Sequence, residues 1–286
     1  MSPGSRFWQA IADEKPLQIV GTINAYCAKL AEAAGFKCIY LSGSGVAAAS
    51  YGLPDLGVTS LHDVLTDANR ITNATELPLL VDIDTGWGSA FNIARTIKEL
   101  EQAGVAAVHL EDQVGQKRCG HLPNKQVVSI DEMCDRLKAA TDARTDTKFS
   151  IVARTDAFQQ FGLEEVLERI TRFIEVGADV IFPEAIYDYH TYCKITEHSS
   201  VPVLANLTEF GKTPLFSIDE LASMGIALAL YPLSAFRSMS KAALETYSAI
   251  RRNKQIDTVS KMQTREELYE MLDYHTWEAA INSTED

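Results

Sequence analysis

Short apolar runs alternate with amphipathic stretches along the whole chain. The runs are five to eight residues long, the usual length of a β-strand. Most are apolar throughout, as expected for parallel strands that are covered on both faces. Eight β–α alternations predict a (β/α)8 barrel of the TIM type, although an open doubly wound sheet would show the same periodicity. The predicted strands are Leu17–Asn24, Cys38–Ser42, Leu77–Asp84, Ala106–Glu111, Phe149–Thr155, Val180–Glu184, Val201–Leu207 and Ile226–Leu233.

The stretches between these runs have helical periodicity. Gly35, Gly104 and Gly177 follow such stretches, where a helix C-cap is expected. Two further helical segments, Arg6–Glu14 and Arg265–Ile281, fall outside the eightfold repeat, and we expect them at the base of the barrel or at a subunit interface. No linker is evident, so we predict a single domain over residues 1–286. The clearest helices between strands are Asn92–Ala103, Ile130–Thr145, Leu163–Val176 and Ser234–Asn253.

Composition narrows the class of protein. The chain has 286 residues, of which 46% are hydrophobic and 23% charged, enough for a full core. Its net charge of −13 argues against nucleic acid or an anionic membrane as a partner. Five scattered cysteines, with no apolar leader before them, indicate reduced thiols and a cytoplasmic protein. An anionic substrate would need a local cationic pocket or a divalent metal to attract it.

Polar side chains follow the predicted strands at the point where each run ends. In a barrel of this type the carboxyl ends of the strands meet at one mouth, where the active site lies. We therefore expect these side chains to come together. They are Asn24, Ser42, Asp82, Asp84, Glu111, Asp112, Arg154, Asp156, Glu184 and Asn206.

The segment Val81–Gly88 is a candidate metal site. Asp82 and Asp84 lie one residue apart at a strand end, before a glycine turn, and carboxylate oxygens suit a hard ion such as Mg²⁺. An ordinary pair of capping or loop aspartates is the alternative. Glu111 and Asp55 could hold metal-bound waters as an outer layer of the same site.

The loop from Gly115 to Pro123 contains Lys117-Arg118-Cys119-Gly120-His121. Two cations and a histidine beside Cys119 should stabilise its thiolate and lower the thiol pKa toward neutrality, which suits proton transfer. Glycines at positions 115 and 120 would allow the loop to close over a reactive intermediate. The alternative is an exposed basic loop with an incidental cysteine.

Further residues could bind carboxylate groups. The turn Ser42-Gly43-Ser44-Gly45 offers backbone N–H groups, and arginine binds carboxylates with two parallel hydrogen bonds. Taken singly, each of these side chains could equally form a structural ion pair. Together with a metal and a thiol they suit a retro-aldol cleavage, in which an enediolate leaving group awaits a proton. The side chains in question are Arg154, Arg237, Asn206 and Thr208.

At these residues the chain resembles the isocitrate lyase and phosphoenolpyruvate mutase superfamily, over nearly its whole length. The most specific motif is Lys117–His121, whose Lys-Arg-Cys-Gly-His form is typical of the methylisocitrate lyase branch. Leu110–Gln113, Ala153–Ala157, Asn206–Gly211 and Tyr231–Arg237 are also similar to that branch. The resemblance implies Mg²⁺-dependent cleavage of 2-methylisocitrate to pyruvate and succinate, in the methylcitrate cycle of propionate catabolism.

The resemblance also implies roles for single residues. Asp82 and Asp84 would hold Mg²⁺, with Mn²⁺ as a possible substitute, and Asp55 and Glu111 would lie behind bridging waters. Cys119 would protonate the enediolate, helped by Gly120 and His121, and Tyr40 is the candidate base. Phe182, Leu230 and Pro232 would surround the extra methyl group. The implied substrate-binding residues are Ser42, Gly43, Ser44, Cys119, Gly120, Arg154, Glu184, Asn206, Thr208, Arg237 and Arg265.

Two positions depart from the family pattern. Ser44 stands where a second glycine is usual, and Trp87 replaces a smaller aromatic residue. Neither change removes a charged group, so we expect activity to survive both. The family forms homotetramers in which a C-terminal helix is exchanged between barrels, a role that Arg265–Ile281 could play.

Other functions fit the sequence less well. Isocitrate lyase differs in substrate by one methyl group, which is worth only about 1–3 kcal/mol of discrimination. Oxaloacetate hydrolysis and dimethylmalate cleavage match the cysteine motif less well. A catalytically silent protein that binds metal and carboxylate would be expected to have lost the cysteine or the aspartate pair, and both are present.

Overall fold

The computed structural model describes residues 1–118, 120 and 125–282. It separates into two compact units, Met1–Ser234 and a C-terminal unit that starts at Ala235. None of the helices among the described residues combines the length and the apolar character needed to cross a membrane. A single domain over residues 1–286, with residues 265–282 at a subunit interface, stays a prediction.

The first unit contains a sheet of eight parallel strands. β1 pairs with both β2 and β8, and the order around the sheet is β6-β5-β4-β3-β2-β1-β8-β7. A parallel bridge between Ile181 and Val203 joins the two ends, where the Ile181 N–H donates to Pro202 O at 3.0 Å. The (β/α)8 barrel is therefore confirmed, and the open doubly wound sheet is excluded. The strands are β1 (Leu17–Gly21), β2 (Cys38–Leu41), β3 (Leu79–Asp82), β4 (Ala107–Glu111), β5 (Ser150–Thr155), β6 (Val180–Pro183), β7 (Leu204–Asn206) and β8 (Leu228–Tyr231).

Helices follow the strands around the outside of the barrel. Those that begin in the first unit are α1 (Pro3–Asp13), α2 (Ala25–Ala33), α3 (Gly43–Tyr51), α4 (Leu61–Thr72), α5 (Ala90–Gln102), α6 (Ile130–Ala143), α7 (Phe158–Glu175), α8 (Tyr189–His198), α9 (Ile218–Ser223) and α10 (Ser234–Arg251). The C-terminal unit continues with a 3₁₀ segment, Gln255–Lys261, and with α11 (Arg265–Met271) and α12 (Tyr274–Asn282). The single last helix predicted from the sequence was wrong, because Asp273, with φ of 53°, separates it into two.

Alternation along the strands decides which side chains face the barrel interior. In β2, Cys38 and Tyr40 point inward, whereas Ile39 and Leu41 pack against the helices outside. The same alternation in the other strands fills the lower interior with apolar side chains. Phe7 and Ile11 of α1 join that cluster from below. The barrel is solid beneath its mouth, so the polar inward side chains near the strand ends form the site.

Two of the polar side chains at strand ends cap helices. Asn24 Oδ1 accepts the Cys27 N–H at 2.9 Å at the start of α2, and Ser42 Oγ accepts the Gly45 N–H at 3.2 Å at the start of α3. N-caps of this kind satisfy backbone donors that have no partner within the helix. Asn24 is therefore the N-cap of α2. Ser42 combines its cap with a position at the mouth.

Candidate active site

Asp82 and Asp84 lie together at the carboxyl end of β3. Both are buried, and the point where a Cβ of residue 43 would sit is 3.1 Å from Asp82 Oδ2 and 3.1 Å from Asp84 Oδ1. The Gly43 N–H donates to Asp82 Oδ2 at 3.0 Å. Asp84 has φ of 49°, a strained conformation for a residue other than glycine and one that is concentrated at functional sites. Both carboxylates thus lie next to the start of α3.

Lys117 brings Asp55 to the same cluster. Its ammonium forms ion pairs with Asp84 and with Asp55 Oδ1, the latter at 2.7 Å, and its side chain is almost wholly buried. Burial alone would lower the pKa of Lys117, but Asp84, Glu111 and Asp82 outweigh burial and raise that pKa. Sequence reasoning placed this cation beside the thiol of its own loop. A loop sequence carries no signal for its long-range contacts, so the pairing with two distant aspartates was missed.

Glu111 lies at the end of β4 with no accessible surface. Neither of its carboxylate oxygens has a hydrogen-bond partner among the described residues, although Arg154 Nη1 lies 3.2 Å from Oε2. Burial raises the pKa of Glu111 well above its usual range. A buried carboxylate with unused lone pairs is costly unless another group, such as a metal-bound water, uses them.

These donors fit a hard divalent cation. Within the described residues, no three His, Cys, Asp or Glu side chains are arranged to hold a metal together. Mg²⁺ commonly uses one or two protein carboxylates and keeps waters or substrate oxygens at its other positions. Asp82 and Asp84 would supply the two carboxylates, and Asp55 shares the Lys117 ammonium with Asp84.

The two aspartates differ in their electrostatic surroundings. Burial would raise the pKa of Asp82, but His109, Lys117 and Arg154 outweigh it and hold that pKa at about 2. Burial and the neighbouring Asp82 charge raise the pKa of Asp84 to about 7 despite Lys117. A further positive charge next to the Asp82 and Asp84 carboxyl groups would therefore stabilise their ionised forms.

Tyr40 and His109 form a buried pair beside Asp82. The Tyr40 hydroxyl lies 2.8 Å from His109 Nε2 and 3.5 Å from Asp82 Oδ2, and the two rings are stacked. Burial lowers the pKa of His109 to about 4, so its imidazole is neutral near pH 7 and forms a neutral hydrogen-bonded pair with Tyr40. Burial and the Asp82 charge raise the pKa of Tyr40. His109 was missed from the sequence, although its position two residues before Glu111 puts it on the same inward face of β4.

Arg154, Glu184 and Asn206 form the other side of the mouth. Arg154 Nη2 lies 3.4 Å from Glu184 Oε2, and the Asn206 amide donates to both Glu184 oxygens at 3.3 Å. A Cβ added at Gly120 would lie 2.5 Å from Arg154 Nη2 and 2.6 Å from Glu184 Cγ. The backbone at position 120 is thus in direct contact with this group.

The remaining predicted residues fall into three sets. Ser42, Ser44 and Thr208 lie at the mouth, Ser44 in the first turn of α3 and Thr208 buried two residues beyond Asn206. Arg237 and Arg265 belong to the C-terminal unit, on α10 and at the start of α11, and their substrate roles stay predictions. Cys119 and His121 lie outside the described residues.

A family model described as phosphoenolpyruvate phosphomutase matches residues 8–251. The chain belongs to this family. Within the phosphoenolpyruvate phosphomutase family, a relative from Shewanella oneidensis named 2-methylisocitrate lyase is 59% identical over 282 residues, which cover 98% of this chain and 97% of the relative.

Two solved structures have the same fold. A 2,3-dimethylmalate lyase is 32% identical, with a TM-score of 0.90, covering 99% of this chain and 96% of that one. A phosphonopyruvate hydrolase in complex with oxalate and Mg²⁺ is 28% identical, with a TM-score of 0.86, covering 98% of both chains. Carbon–carbon lyase chemistry and Mg²⁺ binding thus both occur on this fold.

Proposed function

We propose that the chain is a Mg²⁺-dependent carbon–carbon lyase that cleaves 2-methylisocitrate to pyruvate and succinate. The observation that carries the proposal is the convergence of Asp82 and Asp84 beside the Gly43 N–H, facing Arg154 and Glu184 across the mouth. The 59% identity to the Shewanella oneidensis lyase supports the choice of substrate. In this assignment the enzyme acts in the cytoplasm, in the methylcitrate cycle of propionate catabolism.

Four carboxylates form the proposed metal centre. Asp82 and Asp84 would hold Mg²⁺, or Mn²⁺ in its place, and Asp55 and Glu111 would accept hydrogen bonds from its water ligands. When bound, the ion stabilises negative charge on the keto acid that the cleavage produces. The two carboxylate oxygens of Glu111 support this arrangement, because neither has a hydrogen-bond partner among the described residues.

The substrate is a tricarboxylate, and the mouth offers donors for its charged groups. Arg154, Asn206 and Thr208 are the proposed donors on one side, opposite the N–H groups at the start of α3. Glu184 fixes this side by pairing with Arg154 and Asn206. The complete proposed substrate set is Ser42, Gly43, Ser44, Cys119, Gly120, Arg154, Glu184, Asn206, Thr208, Arg237 and Arg265.

The cleavage needs one proton removed and one supplied. Tyr40 in its ionised form is the proposed base for the substrate hydroxyl, and its oxygen lies 2.8 Å from His109 Nε2. As the hydroxyl becomes the carbonyl of pyruvate, the electrons of the breaking carbon–carbon bond pass to the succinate carbon and form an enediolate. The Cys119 thiol would then give its proton to that carbon, assisted by Gly120 and His121.

Isocitrate is the competing substrate, and it lacks one methyl group. Phe182 and Leu230 point into the barrel and are almost wholly buried, and the Phe182 ring offers an apolar surface 5.3 Å from the Arg154 guanidinium carbon. An apolar surface gains free energy from a methyl group, about 0.8 kcal/mol per buried carbon. This favours 2-methylisocitrate over isocitrate, with some activity on both.

The test is a direct assay of the purified protein. With Mg²⁺ and 2-methylisocitrate we expect pyruvate to appear, and with isocitrate much less glyoxylate at equal concentration. Chelation of the metal by EDTA should abolish both reactions, and added Mg²⁺ should restore them. A higher kcat/KM for isocitrate would overturn the substrate assignment, and turnover that persists without metal would overturn the metal role.

We also propose that the protein assembles as a homotetramer through its C-terminal unit. Tyr274, Trp277 and Ile281 lie along one face of α12 at helical spacing, and each is substantially exposed. Leu244, Tyr247 and Ile250 of α10 are likewise exposed. Apolar faces of this extent are typical of surfaces that become covered on assembly.

A further inference from the structure

Lys125 and Asp156 lie next to the Arg154 guanidinium, just beyond the carboxyl end of β5. Arg154 Nε donates to Asp156 Oδ2 at 2.9 Å, and Arg154 Nη2 donates to Asp156 Oδ1 at 3.2 Å. Lys125 Nζ donates to the same Oδ1 at 2.6 Å. All three side chains are buried. Neither the metal centre nor the proton transfers described above require Lys125 or Asp156.

The guanidinium is held between opposing carboxylates. Asp156 accepts from its Nε and Nη2, whereas Glu111 Oε2 lies 3.2 Å from Nη1 and Glu184 Oε2 lies 3.4 Å from Nη2. Arginine has five N–H donors in a rigid plane. The two that Asp156 accepts determine which three remain for the mouth, and therefore for a substrate carboxylate.

Lys125 and Arg154 share one oxygen atom of Asp156. The lysine contact with Oδ1 is 0.6 Å shorter than the Arg154 Nη2 contact with it, at 2.6 Å against 3.2 Å. Without the lysine, Oδ1 would be free to form a shorter bond with Nη2. The arginine and aspartate would then form a tighter two-bond pair, which is the strongest geometry for these groups. The guanidinium would move toward Asp156 and away from Glu111 and Glu184.

Asp156 is itself fixed from the opposite direction. Its backbone N–H donates to Asp112 Oδ1 at 2.8 Å, and Asp112 Oδ2 accepts from Thr155 and from Arg169. Because this backbone anchor is independent of Lys125, Asp156 cannot follow a displaced partner. Loss of the lysine should therefore shift the arginine and leave the aspartate in place.

We propose that Lys125 is a positioning residue for the substrate-binding arginine, because its ammonium occupies Asp156 Oδ1 and keeps the Arg154 guanidinium directed toward the mouth. The inference rests on the proposed function, in which Arg154 binds a carboxylate of the substrate. Lys125 acts through Asp156 and Arg154 and need not contact the substrate.

The experiment compares kcat and KM for 2-methylisocitrate, at saturating Mg²⁺, among full-length wild type and the variants Lys125→Met, Lys125→Gln and Lys125→Arg. The matched control is Lys138→Met, which changes an exposed lysine paired with Asp142 on α6. We expect Lys125→Met to raise KM by about 10-fold, the size of one charged hydrogen bond, with a smaller change in kcat. Lys125→Arg should restore most of the affinity, and Lys138→Met should match wild type.

A double-mutant cycle separates positioning from a general structural effect. If Lys125 acts through the arginine, Lys125→Met should cost little further kcat/KM in an Arg154→Lys background. Equal losses in both backgrounds would overturn the inference, as would an unchanged KM in Lys125→Met. Failure of both the Met and Gln variants to fold would also overturn it, because the lysine would then be required for stability. Absence of turnover by wild type would instead refute the proposed function, and the inference with it.

Discussion

Asp84 has a positive φ, and its carboxyl group lies next to that of Asp82. A substitution that keeps the backbone conformation can therefore test the charge alone. Asparagine tolerates positive φ about as well as aspartate does, so Asp84→Asn removes the charge without adding strain. We expect kcat/KM at limiting Mg²⁺ to fall by more than about 100-fold, beyond the cost of losing an outer-layer partner. Asp13→Asn, on the exposed end of α1, is the control and should leave activity unchanged. Titration of Mg²⁺ against activity measures the difference, and an unaltered Mg²⁺ dependence would contradict the metal assignment.

Substitution of Gly120 tests whether the backbone at this position contacts Arg154 and Glu184, two of the proposed substrate-binding residues. A methyl group at this position would lie 2.5 Å from Arg154 Nη2, closer than atoms can approach without displacement. Gly120→Ala should therefore lower kcat/KM by about 10-fold or more, because small displacements at a reacting centre are costly. In contrast, Gly115→Ala adds a methyl group with no heavy atom within 4 Å and is the matched control. Equal kinetics for the two variants would argue against the contact.

Cys119 is the predicted proton donor. Cys119→Ser replaces the thiol with a group whose pKa is far higher, so proton delivery to the enediolate should fail. We expect kcat to fall by about 1,000-fold while Mg²⁺ and succinate still bind, as isothermal titration calorimetry would measure. A fully active serine variant would remove the thiol from the mechanism.

Among the elements, α7 carries a buried ion pair that joins it to Asp112, the residue after β4. Arg169 Nη1 donates to Asp112 Oδ2 at 3.0 Å, and Arg169 Nη2 donates to Val128 O at 3.0 Å. Arg169→Met would leave Asp112 buried without its cation. The free energy of unfolding should fall by about 3–5 kcal/mol. Arg172→Met, three residues further along the helix, removes exposed ion pairs and should cost no more than about 1 kcal/mol.

Urea denaturation measures both free energies of unfolding. The comparison is informative because both variants make the same change on the same helix. A loss of less than 1 kcal/mol in Arg169→Met would mean that the pair does not support the β4–β5 edge of the mouth.

The elements also indicate what a sequence can predict. All eight strands were predicted, because a strand buried on both faces is a continuous apolar run. Their predicted ends extended too far, as at β1, where Asn24 caps the next helix. Helix α3 was taken for a turn, since its glycines lower helix propensity and its short sequence gives little periodicity. The break at Asp273 leaves no signal in the apolar pattern.

The same contrast holds for the site. Residues at strand ends were predicted, because barrel topology alone brings them to one mouth. The ion pairs of Lys117 and Lys125 with distant aspartates were not predicted, because each lysine lies in a connection whose path the sequence does not determine. His109 could have been found from its inward parity with Glu111.

For the molecule as a whole, the net charge of −13 should repel the negatively charged tricarboxylate substrate. Among the described residues at the mouth, the buried cations Lys117, Lys125 and Arg154 each pair with a carboxylate. Pairing cancels most of their long-range attraction. A bound divalent cation is therefore the group that would make this region favourable for an anion.

Assembly is the prediction that belongs to this scale. Trp277 is 71% exposed on α12, so Trp277→Glu should not disturb the fold of the single chain. It should, however, shift the protein from tetramer to smaller species, since a charge at an apolar contact is strongly unfavourable. Light scattering coupled to gel filtration measures the mass. Glu278→Gln on the same helix is the control, and a wild-type monomer would refute the assembly proposal.

Helix α1 closes the amino-terminal end of the barrel, where Phe7 and Ile11 join the apolar interior. Molecules therefore cannot pass through the barrel from end to end. A substrate that enters at the open side must depart by the route it came, now as two fragments. The product that lies deeper in the barrel can leave only after the outer product has left. The closed end of the barrel therefore imposes an order on product release.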